Sequence, residues 1–228
     1  KDRFEKTFAV EIDEKFRGPF KDLNPEDSVN FVAANFLDLD FQDMDLEKNK
    51  SSRLVGNIPY NVTGRVLKKS VSNRGYFSES VFTVQKEVAE RILADPGTSN
   101  SGAITYYIQA YGEVSHVADI PPRDFYPPPA VDSSTIKIKY GGDKKFNSRD
   151  EIFLSLIRGL FNYRRKTTRK GLIVSPKFTL NKDEVNDLLG EASINGRKRP
   201  EELTLEDFDR LALKFQKNFR EGCEDSFD

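Results

Sequence analysis

Arg53-Leu54-Val55-Gly56-Asn57-Ile58-Pro59-Tyr60 is the stretch that decides how this chain is read. Residues 53–56 have the short apolar character of a strand, and the four that follow close it with an amide, a proline and an aromatic ring. In open α/β sheets ligands bind just beyond the carboxyl ends of strands, so Asn57–Tyr60 occupies the place of a site.

The chemistry of that tetrapeptide suits an exocyclic amine on a planar base. The lone pair of an adenine N6 is delocalised into the ring, which makes the nitrogen a poor nucleophile. The Asn57 amide oxygen and a backbone carbonyl near Ile58 can accept both N6 hydrogens and draw the nitrogen towards tetrahedral geometry. Pro59 stiffens the turn, and Tyr60 offers a ring for stacking. Positioning and hydrogen bonding supply most of such an effect, without a strong general base. A strand-ending turn with a buried tyrosine is the plain alternative.

Outward from this turn, short apolar runs alternate with helical patterns, which reads as an α/β sheet. Strands are expected at 7–12, 29–34, 53–56 and 80–84, then at 113–120 and 134–140. Helices are expected at 63–72, 86–94 and 102–111. Within 86–94, Val88, Ala89, Ile92 and Leu93 share one face, and Asp95-Pro96-Gly97 stops the helix. In the last strand Thr135, Lys137 and Lys139 alternate with Ile136, Ile138 and Tyr140. Pro121-Pro122 and Phe125-Tyr126-Pro127-Pro128-Pro129 form a stiff extended segment. Residues 141–148 read as a linker, and the rest is helical, at 149–163, 182–190 and 204–218. A capping box opens the last helix at Thr204. The expected domains are therefore an α/β unit over 1–142 and a helical unit over 143–228.

A chain of 228 residues, 37% hydrophobic and 32% charged, fits one large domain or one with a small appendage. No apolar run approaches the roughly 20 residues that span a bilayer, and residues 1–20 have no secretory core. One cysteine, Cys223, excludes an internal disulfide and fits a cytoplasmic protein. One histidine and one cysteine cannot build a cysteine/histidine zinc site, so no metal is expected. The net charge of −1 hides a polarised distribution. Arg158, Arg164, Arg165, Lys166, Arg169 and Lys170 fall in a stretch with no acid, which makes a local positive face possible. The bland reading of such a run is a solvated helix end.

Asn57–Tyr60 resembles the catalytic motif of the small-subunit rRNA adenine dimethyltransferase family. The similarity continues in order through 85–92, Pro96-Gly97, Gly102-Ala103, Pro121-Pro122, 125–129 and Val131-Asp132-Ser133. It resumes at 161–167 and at Arg199-Pro200-Glu201-Glu202-Leu203, and so covers nearly the whole chain.

The resemblance implies a Rossmann-like methyltransferase that uses S-adenosylmethionine to dimethylate N6 of two adjacent adenines in the 3′-terminal hairpin of small-subunit rRNA. Glu11 matches the acid that holds the donor's ribose hydroxyls, with Ile12 beside it; a carboxylate is a sound acceptor for two hydroxyls. Asn35 stands where the family usually carries aspartate to bind the donor's adenine, and Phe36 follows as a packing surface. An amide oxygen still accepts there, but without charge assistance. Asn57 faces donor and target together. Phe125 matches the aromatic that stacks on the extruded base opposite Tyr60. Arg164, Arg165, Lys166, Arg169 and Lys170 would contact RNA phosphates. His116 is expected to be a strand residue without a catalytic part.

The family's glycine-rich donor loop has no counterpart here; residues 1–6 read as the helix before the strand that carries Glu11. The first strand and its loop are therefore expected to be missing, and with them firm donor binding. Three other readings stand beside this one: a large-subunit rRNA adenine methyltransferase, a DNA adenine methyltransferase, and a non-catalytic RNA-binding assembly or transcription factor on the same fold. The implied partner is the immature small subunit, with the enzyme acting as a monomer.

Overall fold

The computed structural model describes residues 6–24, 26, 28–44, 46, 48, 52–141 and 144–218. Six strands and eight α-helices follow one another along these residues. β1 (Phe8–Glu11) pairs in parallel with β2 (Asn30–Ala33), with Glu11 opposite Ala33. A second sheet runs in the order β3-β4-β6-β5, from β3 (Ser52–Asn57), β4 (Phe77–Gln85), β5 (Gly112–Ile120) and β6 (Ser133–Tyr140). β3 and β4 are parallel, whereas β6 lies antiparallel between β4 and β5.

Side-chain alternation builds this sheet as the sequence suggests. On β6, Ile136, Ile138 and Tyr140 are buried, while Thr135, Lys137 and Lys139 are not. β4 extends further than the apolar run at 80–84, because Phe77 and Gln85 at its ends still find ladder partners on β3 or β6. α2 (Thr63–Ser72) follows β3 and buries Val66, Leu67 and Val71. α3 (Lys86–Leu93) follows β4 directly and buries Ala89 and Ile92. After α3 the chain turns at Gly97, whose φ of 94° a side chain would resist. α4 (Ala103–Gln109) then leads into β5.

α1 (Arg17–Leu23) has no counterpart among the expected helices. Its Pro19 falls within the first turn, where the missing amide proton costs no intrahelical bond. The expected helix at residues 1–6 lies outside the described residues, apart from Lys6. The latter part of the chain contributes α5 (Asp150–Phe161), α6 (Thr168–Val174), α7 (Lys182–Glu191) and α8 (Leu205–Asn218). α5 packs against α4, α6 and α8. Gly159 admits the ring of Phe178, since a Cβ there would stand 2.8 Å from Phe178 Cε2.

The stretch from 144 to 148, read from sequence as linker, is built into the core. Phe146 is buried and stacks on Phe153 with ring centroids 4.0 Å apart. The Asp209 carboxylate on α8 accepts the backbone amides of Asn147 and Ser148 at 2.9–3.0 Å. One hydrophobic cluster runs from Phe82 and Ile138 in the sheet through Tyr106 to Phe208 and Phe215 on α8.

Candidate active site

Candidate site residues stand at the carboxyl ends of β1, β2 and β3. Asn57 closes β3 opposite Thr83, and its side chain is exposed. The next residue turns inward: Ile58 is buried, and its amide donates to the Thr83 carbonyl at 3.1 Å. Its side chain thus anchors the turn in the core. Pro59 precedes a single 3-10 turn, Tyr60–Val62, and its carbonyl accepts the Val62 amide at 3.1 Å. Asn57 is thereby held at a strand end, where a polar partner can reach it.

Tyr60 is half-buried, and its hydroxyl lies 2.8 Å from the Ser133 hydroxyl, which is fully buried at the start of β6. Ser133 also terminates the segment that carries Phe125. That residue follows the 3-10 turn Pro122–Asp124, is extended and half-buried, and donates its amide to the Pro122 carbonyl. Neighbouring Tyr126 is fully exposed.

A second group of candidate residues stands at the ends of β1 and β2. Glu11 lies opposite Ala33, and the Ala34 amide donates to the Glu11 carbonyl at 2.9 Å, one residue before Asn35. Glu11 Oε1 accepts the Asp13 amide at 2.9 Å, which leaves Oε2 directed to other donors. Ile12 is 69% exposed beside it. Asn35 caps the 3-10 turn Phe36–Asp38: its Oδ1 accepts the Leu37 amide at 3.1 Å, and its Nδ2 donates to Asp38 Oδ2 at 2.8 Å. Phe36 packs on Phe41 with ring centroids 5.8 Å apart. Lys69 on α2 braces this loop, donating to the carbonyls of Leu37 at 2.7 Å and Leu39 at 2.6 Å. Burial pushes the Lys69 ammonium pKa below its ordinary value, and Asp38 and Asp40 partly offset that. No sequence pattern marks Lys69 for this task.

The basic residues divide into two groups. Arg164 turns inward: its Nη2 donates to the Ser99 carbonyl at 2.6 Å, and its Nε lies 3.6 Å from buried Glu201. Arg165, Lys166, Arg169 and Lys170 are exposed around the start of α6, where Thr167 caps the helix. Backbone bonds add neighbours that the sequence reading overlooked. The Thr168 amide donates to the Lys198 carbonyl at 2.7 Å and the Arg169 amide to the Gly196 carbonyl at 3.0 Å. Exposed Arg197, Lys198 and Arg199 therefore stand beside the first cluster.

His116 lies on β5 with Nε2 2.9 Å from Asp119, which also meets Ser134 at 2.7 Å and Lys86 at 3.0 Å. No group of three or more metal-ligating side chains occurs among the described residues. Nor, among them, is any helix long and apolar enough to cross a membrane.

Parallel strand pairs, one ending in Asn-Ile-Pro-Tyr and the other carrying an acid and an amide at its strand ends, fit the plan of a Rossmann-like, S-adenosylmethionine-dependent methyltransferase. Residues 1–215 match the model of the family described as ribosomal RNA adenine dimethylase. The chain belongs to that family, whose members are S-adenosylmethionine-dependent rRNA adenine dimethyltransferases.

Among relatives, the ribosomal RNA small subunit methyltransferase A of Clostridioides difficile is 34% identical; the match covers 91% of this chain and 73% of that protein. The protein of the same description from Halothermothrix orenii is 33% identical, over 88% of this chain and 68% of its own length. Two solved structures share the fold. A dimethyladenosine transferase from Plasmodium falciparum has a TM-score of 0.76 at 24% identity, covering 93% of this chain and 82% of that one. The 23S rRNA methyltransferase ErmE has a TM-score of 0.66 at 19% identity, covering 94% and 84%.

Proposed function

We propose that this chain dimethylates N6 of two adjacent adenines in the 3′-terminal hairpin of small-subunit rRNA, within the immature subunit. The observation that carries this reading is the Asn57–Tyr60 turn, held at the end of β3 by the Ile58 anchor and the Tyr60–Ser133 bond. Family membership and relatives described as small-subunit methyltransferases support the choice of rRNA.

Bound S-adenosylmethionine would supply the electrophilic methyl group. The Glu11 carboxylate oxygen not engaged by Asp13 fits a ribose hydroxyl, and exposed Ile12 offers an apolar surface beside it. A carbonyl oxygen has two lone pairs, so Asn35 Oδ1 keeps one for an adenine amino group after accepting from Leu37. Phe36 and Asn57 complete that side. On the target side, the Asn57 oxygen and the Ile58 carbonyl accept the N6 hydrogens, and Pro59 keeps them fixed. The nitrogen can then form its bond to the methyl group as the sulfur–carbon bond breaks, with an N6 proton leaving to water. Tyr60 and Phe125 flank the extruded base.

Residues 1–142 carry this chemistry in our reading, and 143–228 contact RNA through Arg165, Lys166, Arg169 and Lys170. Arg164 takes part in keeping those helices in place. The protein acts as a cytoplasmic monomer and needs no metal. The deciding experiment is transfer of labelled methyl from S-adenosylmethionine to unmethylated small subunits by the full-length protein. Dimethyladenosine that disappears with Asn57→Ala, while subunit affinity persists, supports the assignment. Label on isolated large subunits instead would move the substrate to the other rRNA. Tight subunit binding without label would favour an assembly factor.

A further inference from the structure

We infer that Ser133 is a positioning residue for methyl transfer, setting the direction of the Tyr60 ring against the segment that carries Phe125. This rests on the proposed function of the Asn57–Tyr60 turn. Ser133 lies at the meeting of three strands: it is opposite Gln85 on β4 and opposite Ile120 on β5. Ladders on both sides fix its backbone, and its side chain is fully buried. From that fixed point its hydroxyl reaches the Tyr60 hydroxyl at 2.8 Å, across 73 residues of sequence.

The two serines that open β6 divide their tasks by strand alternation. Ser134 bonds Asp119 at 2.7 Å, on the other side from Tyr60. Only Ser133 therefore faces the turn. The segment ending at Ser133 is itself fastened one residue earlier, where the Asp132 carbonyl accepts the Lys86 amide at 3.0 Å. One point thus fixes the end of the strap behind Phe125 and the far end of the Tyr60 ring.

A tyrosine hydroxyl lies on the long axis of its ring. Anchoring it fixes the direction of that axis while leaving rotation about it open. An incoming base can then choose the ring plane, but the width between the two aromatic walls is set beforehand. A looser wall would still stack on a base, but less often with N6 beside Asn57. The cost should therefore appear in turnover more than in donor affinity.

The test is a double-mutant cycle in the full-length protein with Ser133→Ala and Tyr60→Phe, which remove the same bond from opposite ends. We expect each to lower kcat on unmethylated small subunits by about two- to tenfold, the worth of one positioned hydrogen bond, with the KM for S-adenosylmethionine unchanged. The double variant should be no worse than either single one. Melting curves check that the variants fold, and Tyr60→Phe leaves β6 intact should Ser133→Ala unfold. Additive losses, wild-type turnover in Tyr60→Phe, or a loss seen only as a raised donor KM would overturn the inference. If the unaltered protein transfers no methyl at all, the proposed function falls, and this inference with it.

Discussion

The Tyr106 hydroxyl donates to the Leu203 carbonyl at 2.6 Å and accepts the Gly97 amide at 2.9 Å. Its ring is fully buried and packs on Phe161 and Phe208, with centroids 5.2 and 5.1 Å away. A single side chain on α4 thus closes the turn after α3 and holds the entry to α8. Tyr106→Phe leaves the part-buried Gly97 amide and the buried Leu203 carbonyl without that partner. We expect a loss of about 1–3 kcal/mol in stability, and an unchanged urea midpoint would refute it.

Asp209 should matter at least as much. Its carboxylate accepts the two amides that begin the approach to α5, so Asp209→Ala strips a buried cluster of its acceptor. We expect a loss of about 1–3 kcal/mol, with a smaller one for Asp209→Asn, which keeps one oxygen. Chemical denaturation of the two variants would show the order, and equal midpoints would count against the capping role.

The departure at position 35 has a structural partner. Asn35 Nδ2 donates to Asp38, so Asn35→Asp alone would set two carboxylates against each other. That single change should weaken donor binding despite restoring the family's usual residue. Paired with Asp38→Asn, which returns a donor to the contact, it should bind S-adenosylmethionine about fivefold more tightly, through a charge-assisted bond. Calorimetry on the full-length protein decides this. Tighter binding by the single variant would show that the Asp38 contact carries no weight.

Asp119 should titrate abnormally. Hydrogen bonds from Ser134, then from His116 and Lys86, hold its carboxyl well below the usual carboxylate range. A depressed carboxylate pKa contributes stability above its unfolded value and loses it as the pH falls through the folded one. Carbon-13 titration of the Asp119 carboxyl should therefore show no protonation in the ordinary carboxylate range, and Ser134→Ala should move it upward. An ordinary titration in the unaltered protein would contradict the geometry.

Much of this was legible in the sequence, for physical reasons. Alternation marked β6 because one of its faces is dry. Asn57–Tyr60 stood out because a strand followed by a polar, proline-bearing turn is uncommon. α6 escaped notice because its seven residues include Arg169 and Lys170, which resemble a solvated loop. Arg164 and Arg165 are neighbours in sequence, yet one bonds Ser99 and the other is exposed; the turn that follows α5 decides that, and a charge run does not encode it. Ser133 was visible only as part of a motif, since its partner lies 73 residues away. Lys69 was hidden likewise, because its acceptors are backbone carbonyls that any residue could supply.

The placing of β6 bears on how the chain comes off the ribosome. It is the last strand among the described residues, yet it fills the slot between β4 and β5. Until residues 133–140 emerge, β4 has an open flank and β5 has nothing to join. The hydroxyl of Tyr106 must wait longer still, for a carbonyl at residue 203. Such late, distant closures slow folding and leave strand flanks exposed meanwhile. A nascent chain of this protein should therefore remain protease-sensitive at least until residue 203 has emerged.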